Sequence, residues 1–236
     1  MLSVHHLRYA YGEHLVLKDI TFTVCDHEIL AVLGRNGVGK TTLIHLLTSL
    51  LEAQEGEICF DGQDYTHQMS IQIKQQIGVM HPITGVLEKM TCYRYLEFVA
   101  GLYGIKRERI FLLASQYDME NELNTSIKNC SLGTRKKVAF IASILHDPKI
   151  LFLDEPFESI DPFIIAKMKE AILDYAKAGH AVIIATHLLD VVENLCTDCL
   201  ILHDGLIAYE GKITQAEARQ SELERIFVEV TGNDES

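Results

Sequence analysis

Residues 29–42 read Ile-Leu-Ala-Val-Leu-Gly-Arg-Asn-Gly-Val-Gly-Lys-Thr-Thr, an apolar run that stops at a glycine-rich turn. From Glu28 to Leu33 the chain is apolar after its first residue, which predicts a strand buried on both faces, as in a parallel sheet covered by helices. Beyond the turn, Leu43, Ile44, Leu46, Leu47, Leu50 and Leu51 recur at helical spacing.

Between strand and helix, Gly34-x-x-x-x-Gly39-Lys40-Thr41 matches the phosphate-binding P-loop pattern. Glycines let backbone N–H groups turn inward around a β-phosphate, and the helix N-terminus adds its partial positive charge. Lys40 is placed to reach the β- and γ-phosphates, and the Thr41 hydroxyl to ligate Mg²⁺. The candidate nucleotide-binding residues are Gly34, Arg35, Asn36, Gly37, Val38, Gly39, Lys40, Thr41 and Thr42. A flexible loop ending in a helix cap is the bland alternative, and it leaves Gly-Lys-Thr at this spacing unexplained.

Such a site needs an acid at the end of a neighbouring buried strand, and Leu151-Phe152-Leu153-Asp154-Glu155-Pro156 supplies it. Asp154 is the candidate Mg²⁺ ligand. Glu155 is placed to orient and partly deprotonate a water attacking the γ-phosphate. Paired acids here also fit a helix N-cap, a minor reading beside the glycine loop. The two stretches together define a nucleotide-hydrolysing core.

Around them, strands and helices alternate. A half-buried strand is expected over 19–24, a hairpin over 56–65 around Asp61-Gly62, and buried strands over 150–153 and 181–185 with a helix over 163–177 before the second. Residues 200–210 form a late hairpin around Asp204-Gly205. Helices are expected over 91–103, 107–117 and 133–145. The predicted fold is therefore α/β: a P-loop NTPase core (1–82 and 147–215) with a mainly parallel sheet and antiparallel hairpins at its edges. A helical lobe is inserted at 83–146, and a tail covers 216–236 with a frayed end.

Acidic residues outnumber basic ones by 33 to 21 and the net charge is −12, which disfavours nucleic acid as the main partner. No run reaches membrane-spanning length, and the N-terminus carries no secretory pattern, so a cytosolic protein is expected. Cys25, Cys59, Cys92 and Cys130 are scattered singly. Cys196 and Cys199 form one C-x-x-C pair without a second pair or histidines at zinc spacing, and reduced, partly buried thiols are expected.

At this point the chain resembles the ATP-binding subunits of ABC transporters over nearly its full length. Asp154-Glu155-Pro156 followed by Ser159-Ile160-Asp161-Pro162 looks like that family's strand acid, catalytic glutamate and D-loop. Ala185-Thr186-His187 resembles its switch histidine, which contacts the γ-phosphate, and Tyr11 falls where the family stacks an aromatic ring on adenine. The signature Leu-Ser-Gly-Gly-Gln is matched by Cys130-Ser131-Leu132-Gly133-Thr134. Ser131 and Gly133 survive while Leu132 and Thr134 depart, and Ser-Leu-Gly is similar to single-cassette subunits linked to export, including that of peptide antibiotics. A second departure places Pro82 where the family carries a glutamine that helps sense Mg²⁺ and the membrane subunit.

The resemblance implies an ATPase using ATP and Mg²⁺, with Glu155 and His187 catalytic. Two copies, or this chain and a related cassette, would close head to tail, with Ser131, Gly133 and Asp161 acting on the ATP of the other chain. A separate transmembrane permease would be driven from the inner face of the cell membrane. The rivals are a non-transport ABC-type ATPase and a weakly catalytic ATP-binding regulator. The apolar stretch Pro82-Ile83-Thr84-Gly85-Val86-Leu87 either docks the membrane subunit or packs inside the helical lobe.

Overall fold

The computed structural model describes residues 1–81, 83, 85–158, 160–213 and 220–232. The strands are β1 (Leu2–Tyr11), β2 (His14–Val24), β3 (Ile29–Leu33), β4 (Glu55–Phe60), β5 (Gln63–Asp64), β6 (Ile77–Met80), β7 (Ile150–Asp154), β8 (Ala181–Thr186), β9 (Asp198–His203) and β10 (Leu206–Lys212). They form one 10-stranded sheet in the order β5-β4-β1-β2-β10-β9-β3-β8-β7-β6. The helices are α1 (Lys40–Leu47), α2 (Ile71–Lys74), α3 (Cys92–Tyr103), α4 (Glu108–Gln116), α5 (Leu132–Ile144), α6 (Pro162–Lys177), α7 (Leu189–Leu195) and α8 (Gln220–Thr231).

Strands β9, β3, β8, β7 and β6 are mutually parallel, while the hairpins β4–β5 and β1–β2 pair antiparallel through β4 and β1. The β9–β10 hairpin lies inside the sheet and joins the two parts, β10 touching β2 in parallel. The apolar run of β3 is buried at all five positions because it is shared between two cores. Ile29, Ala31 and Leu33 face one core with helices α3 to α7, whereas Leu30 and Val32 face the other with α1. Period-2 alternation thus places opposite faces of one strand in two layers.

The elements between β6 and β7 are helical, and their apolar faces join the core beneath β3. Ile83 is buried and Leu87 packs against that core, so the 82–87 stretch packs inward at these positions. Pro82 and Thr84 lie outside the described residues. Helix α1 stops at Leu47 rather than continuing to Leu51, because Ser49 takes φ 56° and Leu50 is left exposed. Strands β1 and β6 and helices α2, α7 and α8 have no counterpart among the elements expected from sequence, and of the frayed end only Gly232 is described. β1 alternates poorly, and its register against β2 shifts between Val4 and Ala10. β6 is four residues long.

Parallel strands all carry their chain upward to one edge of the sheet, and ligands in such folds gather outside those C-terminal ends. Register places Leu33 beside Thr186, Leu153 beside Ile184 and Met80 beside Leu153. The glycine loop, Asp154 and His187 therefore leave the sheet at one level.

Helix α5 lies against β6 at a point where only glycine fits. A Cβ at Gly78 would sit 2.2 Å from the Ser143 carbonyl oxygen and 2.6 Å from both Pro148 and Leu151. Gly78→Ala is expected to destabilise the fold by about 1–3 kcal/mol through overpacking, read as a lower urea midpoint at unchanged slope.

Candidate nucleotide-binding and catalytic site

The loop after β3 depends on two glycines in the left-handed region, Gly37 at φ 85° and Gly39 at φ 110°. A side chain at Gly39 would also strike Leu17 and Val16 of β2, at 2.9 and 3.0 Å. Gly39 caps α1 without any side-chain hydrogen bond, so the first turn keeps its N–H groups available to an anion. Arg35, Asn36 and Gly37 are exposed, Val38 is half-buried, and Lys40 and Thr42 are buried. Lys40 is only 6% exposed, and its ammonium donates to the carbonyls of Gly34 (2.8 Å) and Arg35 (3.2 Å).

The Thr41 hydroxyl donates to Asp154 Oδ2 at 2.7 Å, joining α1 to the end of β7. The other oxygen, Oδ1, is buried and has no hydrogen-bond partner. Burial pushes the Asp154 carboxyl above the usual carboxylate range, opposed by the Thr41 bond. A hydroxyl beside an unpartnered carboxylate oxygen fits a hard divalent cation that takes oxygen ligands, so these residues suit Mg²⁺.

Glu155 sits one residue later at φ 44°, a left-handed backbone costing a side-chain-bearing residue about 1–2 kcal/mol. Its N–H donates to the Ala185 carbonyl at 2.9 Å, and its own carbonyl accepts from Lys136 Nζ at 2.7 Å. The carboxylate lies 2.9 Å from His187 Nδ1, accepts from the Thr186 hydroxyl at 3.2 Å, and is 3.6 Å from Lys40 Nζ. Lys40, Thr41, Asp154, Glu155 and His187 are thus assembled in one place.

The remaining candidates stand apart. Tyr11 ends β1 opposite His14, half-exposed and edge-on to Tyr9 at 5.0 Å, in the hairpin whose second strand carries Val16 to Gly39. Ser131 caps α5, its oxygen accepting from Thr134 N–H at 3.1 Å, and Leu132 beside it is 54% exposed. Gly133 follows in the first turn, half-buried. Asp161 caps α6 by accepting from Phe163 N–H at 2.9 Å. Among the described residues no hydrogen bond joins Ser131 or Asp161 to the glycine loop; Ser159 lies outside them.

Sequence reasoning missed Lys136, whose place against Glu155 follows from helix packing that no motif announces. It also separated Cys92 from Cys130, whose sulfurs are 3.6 Å apart. Cys196 and Cys199 are both buried, and burial pushes the Cys199 thiol up to about 12.

A glycine loop capping a helix, with paired acids at the end of a nearby parallel strand, is the site of a P-loop nucleoside triphosphatase. A family model described as ABC transporter matches residues 17–158. The ABC transporter ATP-binding protein NatA of Bacillus subtilis (strain 168) is 31% identical over 219 residues, covering 90% of this chain and 89% of NatA. The lantibiotic transport ATP-binding protein SrtF of Streptococcus pyogenes is 26% identical over 227 residues, 96% of each chain. A solved ATP-binding subunit of an ABC transporter matches with a TM-score of 0.84 at 26% identity, over 98% of this chain and 99% of that one. The chain belongs to the ABC transporter family as an ATP-binding cassette, and cassettes of this family are ATPases.

A buried Asp154 carboxyl with an orphaned oxygen costs stability for the sake of the site. A carboxyl whose folded pKa is raised stabilises the fold at low pH and loses that contribution as pH rises through the folded value. Asp154→Asn is therefore expected to stabilise the ligand-free protein at neutral pH by about 1 kcal/mol, a rise of about 2–4 °C for a chain of this size. The gain should shrink on acidification, and the variant should lose the further stabilisation that Mg²⁺–ATP gives the parent. Thermal melts with and without Mg²⁺–ATP across pH 4–8 read both.

Proposed function

We propose that this chain is the motor subunit of an exporter: it binds Mg²⁺–ATP at Gly34–Thr42, pairs head to tail with a second copy or a related cassette, and drives a separate transmembrane permease. The carrying observation is the Thr41–Asp154 pair with its orphaned oxygen beside an uncapped helix N-terminus. In this reading the N–H groups of the loop and first helical turn cradle the β-phosphate. Lys40 exchanges the Gly34 and Arg35 carbonyls for phosphate oxygens, and Tyr11 stacks on adenine. Thr41 and Asp154 would hold Mg²⁺, which when bound neutralises charge on the phosphates.

Glu155 orients the attacking water and accepts its proton, while His187 holds the Glu155 carboxylate and contacts the γ-phosphate. Ser131, Gly133 and Asp161 complete the pocket of the opposite subunit. Two features support that assignment: they are not bonded to their own loop among the described residues, and the α5 N-terminus is exposed around Leu132. Closure orders both chains, and the shared phosphate contacts offset that cost until hydrolysis removes the bridge.

In this reading the chain divides into a core at 1–82 and 147–215, an inserted helical lobe at 83–146 and a tail at 216–236. No helix among the described residues is long and apolar enough to cross a membrane. In this reading the permease is a separate polypeptide approached from the cytoplasmic face. Export is supported by Ser131-Leu132-Gly133 and by the likeness to SrtF, whose name concerns lantibiotic transport. The acidic charge balance argues against nucleic acid as partner.

Glu155→Gln is expected to keep ATP binding, lower turnover by about 10²–10⁴-fold and accumulate an ATP-stabilised dimer visible by light scattering. Turnover at the parental rate would remove Glu155 as the base.

Ser131→Arg, placed in the Glu155→Gln chain, is expected to abolish that dimer while leaving nucleotide affinity of the monomer within about twofold. A dimer of unchanged stability would take the signature stretch out of the shared pocket.

A further inference from the structure

Lys136 lies on α5, in the turns that follow the Ser131 cap, yet its ammonium is spent on the far strand end. Nζ donates to the Glu155 carbonyl at 2.7 Å and is 3.6 Å from Glu158 Oε2, with the side chain only 17% exposed. A charge so largely withdrawn from water must be matched by what it touches. Burial lowers the Lys136 pKa, while Glu158, Glu155 and Asp154 act to keep it charged.

What it touches is the least relaxed peptide in the site. Glu155 holds a left-handed backbone, and such a conformation persists only where its surroundings fix it on both sides. On one side its N–H is bonded to Ala185 of β8; on the other its carbonyl is bonded to Lys136. Remove the second bond and the peptide can rotate toward an ordinary strand conformation, carrying the carboxylate away from His187 and Thr186. Arg135 cannot substitute, because its guanidinium is bonded to the carbonyls of Cys130 and Lys128.

We infer that Lys136 is a positioning residue for ATP hydrolysis: by donating to the Glu155 carbonyl it holds the Glu155 carboxylate in its working place. The inference rests on the proposed role of Glu155 as base. Lys136 is bonded to the Glu155 carbonyl and paired with Glu158 rather than with the glycine loop, so nucleotide binding should be indifferent to it and turnover should not.

Lys136→Met keeps the apolar stem and removes the donors. It is expected to lower kcat by about 10–100-fold, the cost of displacing a catalytic group by about an ångström, with KM, nucleotide affinity and urea midpoint near the parental values. Lys136→Arg should recover most of the rate. Glu158→Gln should leave kcat near parental, showing that the carbonyl bond rather than the ion pair matters. In a Glu155→Gln background, Lys136→Met should cost nothing further, because two residues acting as one unit are not additive. A parental kcat in Lys136→Met, a loss shared by KM and urea midpoint, or an additive loss in the double variant would each overturn the inference. If Glu155→Gln is inactive while Lys136→Met turns over normally, only this inference falls. Glu155→Gln at the parental rate would instead remove the base assignment and this inference with it.

Discussion

The hydrogen bond from Thr41 to Asp154 is the joint on which the site depends, because it fastens the glycine-loop helix to the neighbouring strand at 2.7 Å. Each partner is delivered by a different element, α1 and β7, which share the core that holds Leu43, Ile44 and Phe152. The bond satisfies only one carboxylate oxygen. The other is buried without a partner, a state that a protein folded for stability alone would eliminate. The same orphan that weakens the empty fold is the ligand position a divalent cation requires.

The parallel sheet is what makes the joint reproducible. Leu33 ends β3 opposite Thr186, and Asp154 ends β7 opposite Ala185, so the residues that follow emerge together above one edge. Closeness is then set by steric detail: Gly39 nestles against Val16 and Leu17, and Gly78 lets α5 approach β6. Both contacts are measured in fractions of a methyl group, which is why glycine alone serves at each.

Around Glu155 the chain stores strain and surrounds it. A left-handed glutamate is tied through its N–H, its carbonyl and its carboxylate to β8, α5 and the Thr186–His187 turn. These tethers come from two segments distant along the chain, residues 185–187 and Lys136 on α5, so the conformation belongs to the assembled fold and not to the local peptide. Lys40 shows the complementary arrangement, a buried cation matched by loop carbonyls that phosphate oxygens can replace.

The amino-acid sequence by itself determined the class of the protein. Apolar continuity at 29–33, the glycine spacing at 34–42 and the acids at 154–155 are local patterns, and local geometry is enough to read them. The helices at 92–103, 108–116, 132–144 and 162–177 were also legible, each to within a residue at either end. The tertiary structure alone decided which residues meet. It put Lys136 on the Glu155 carbonyl and Cys92 against Cys130, and set the β9–β10 hairpin inside the sheet. It also ended α1 at Leu47 and drew Ile83 into the core. These outcomes depend on side-chain reach and packing between segments distant along the chain, and periodicity within one segment carries no record of either.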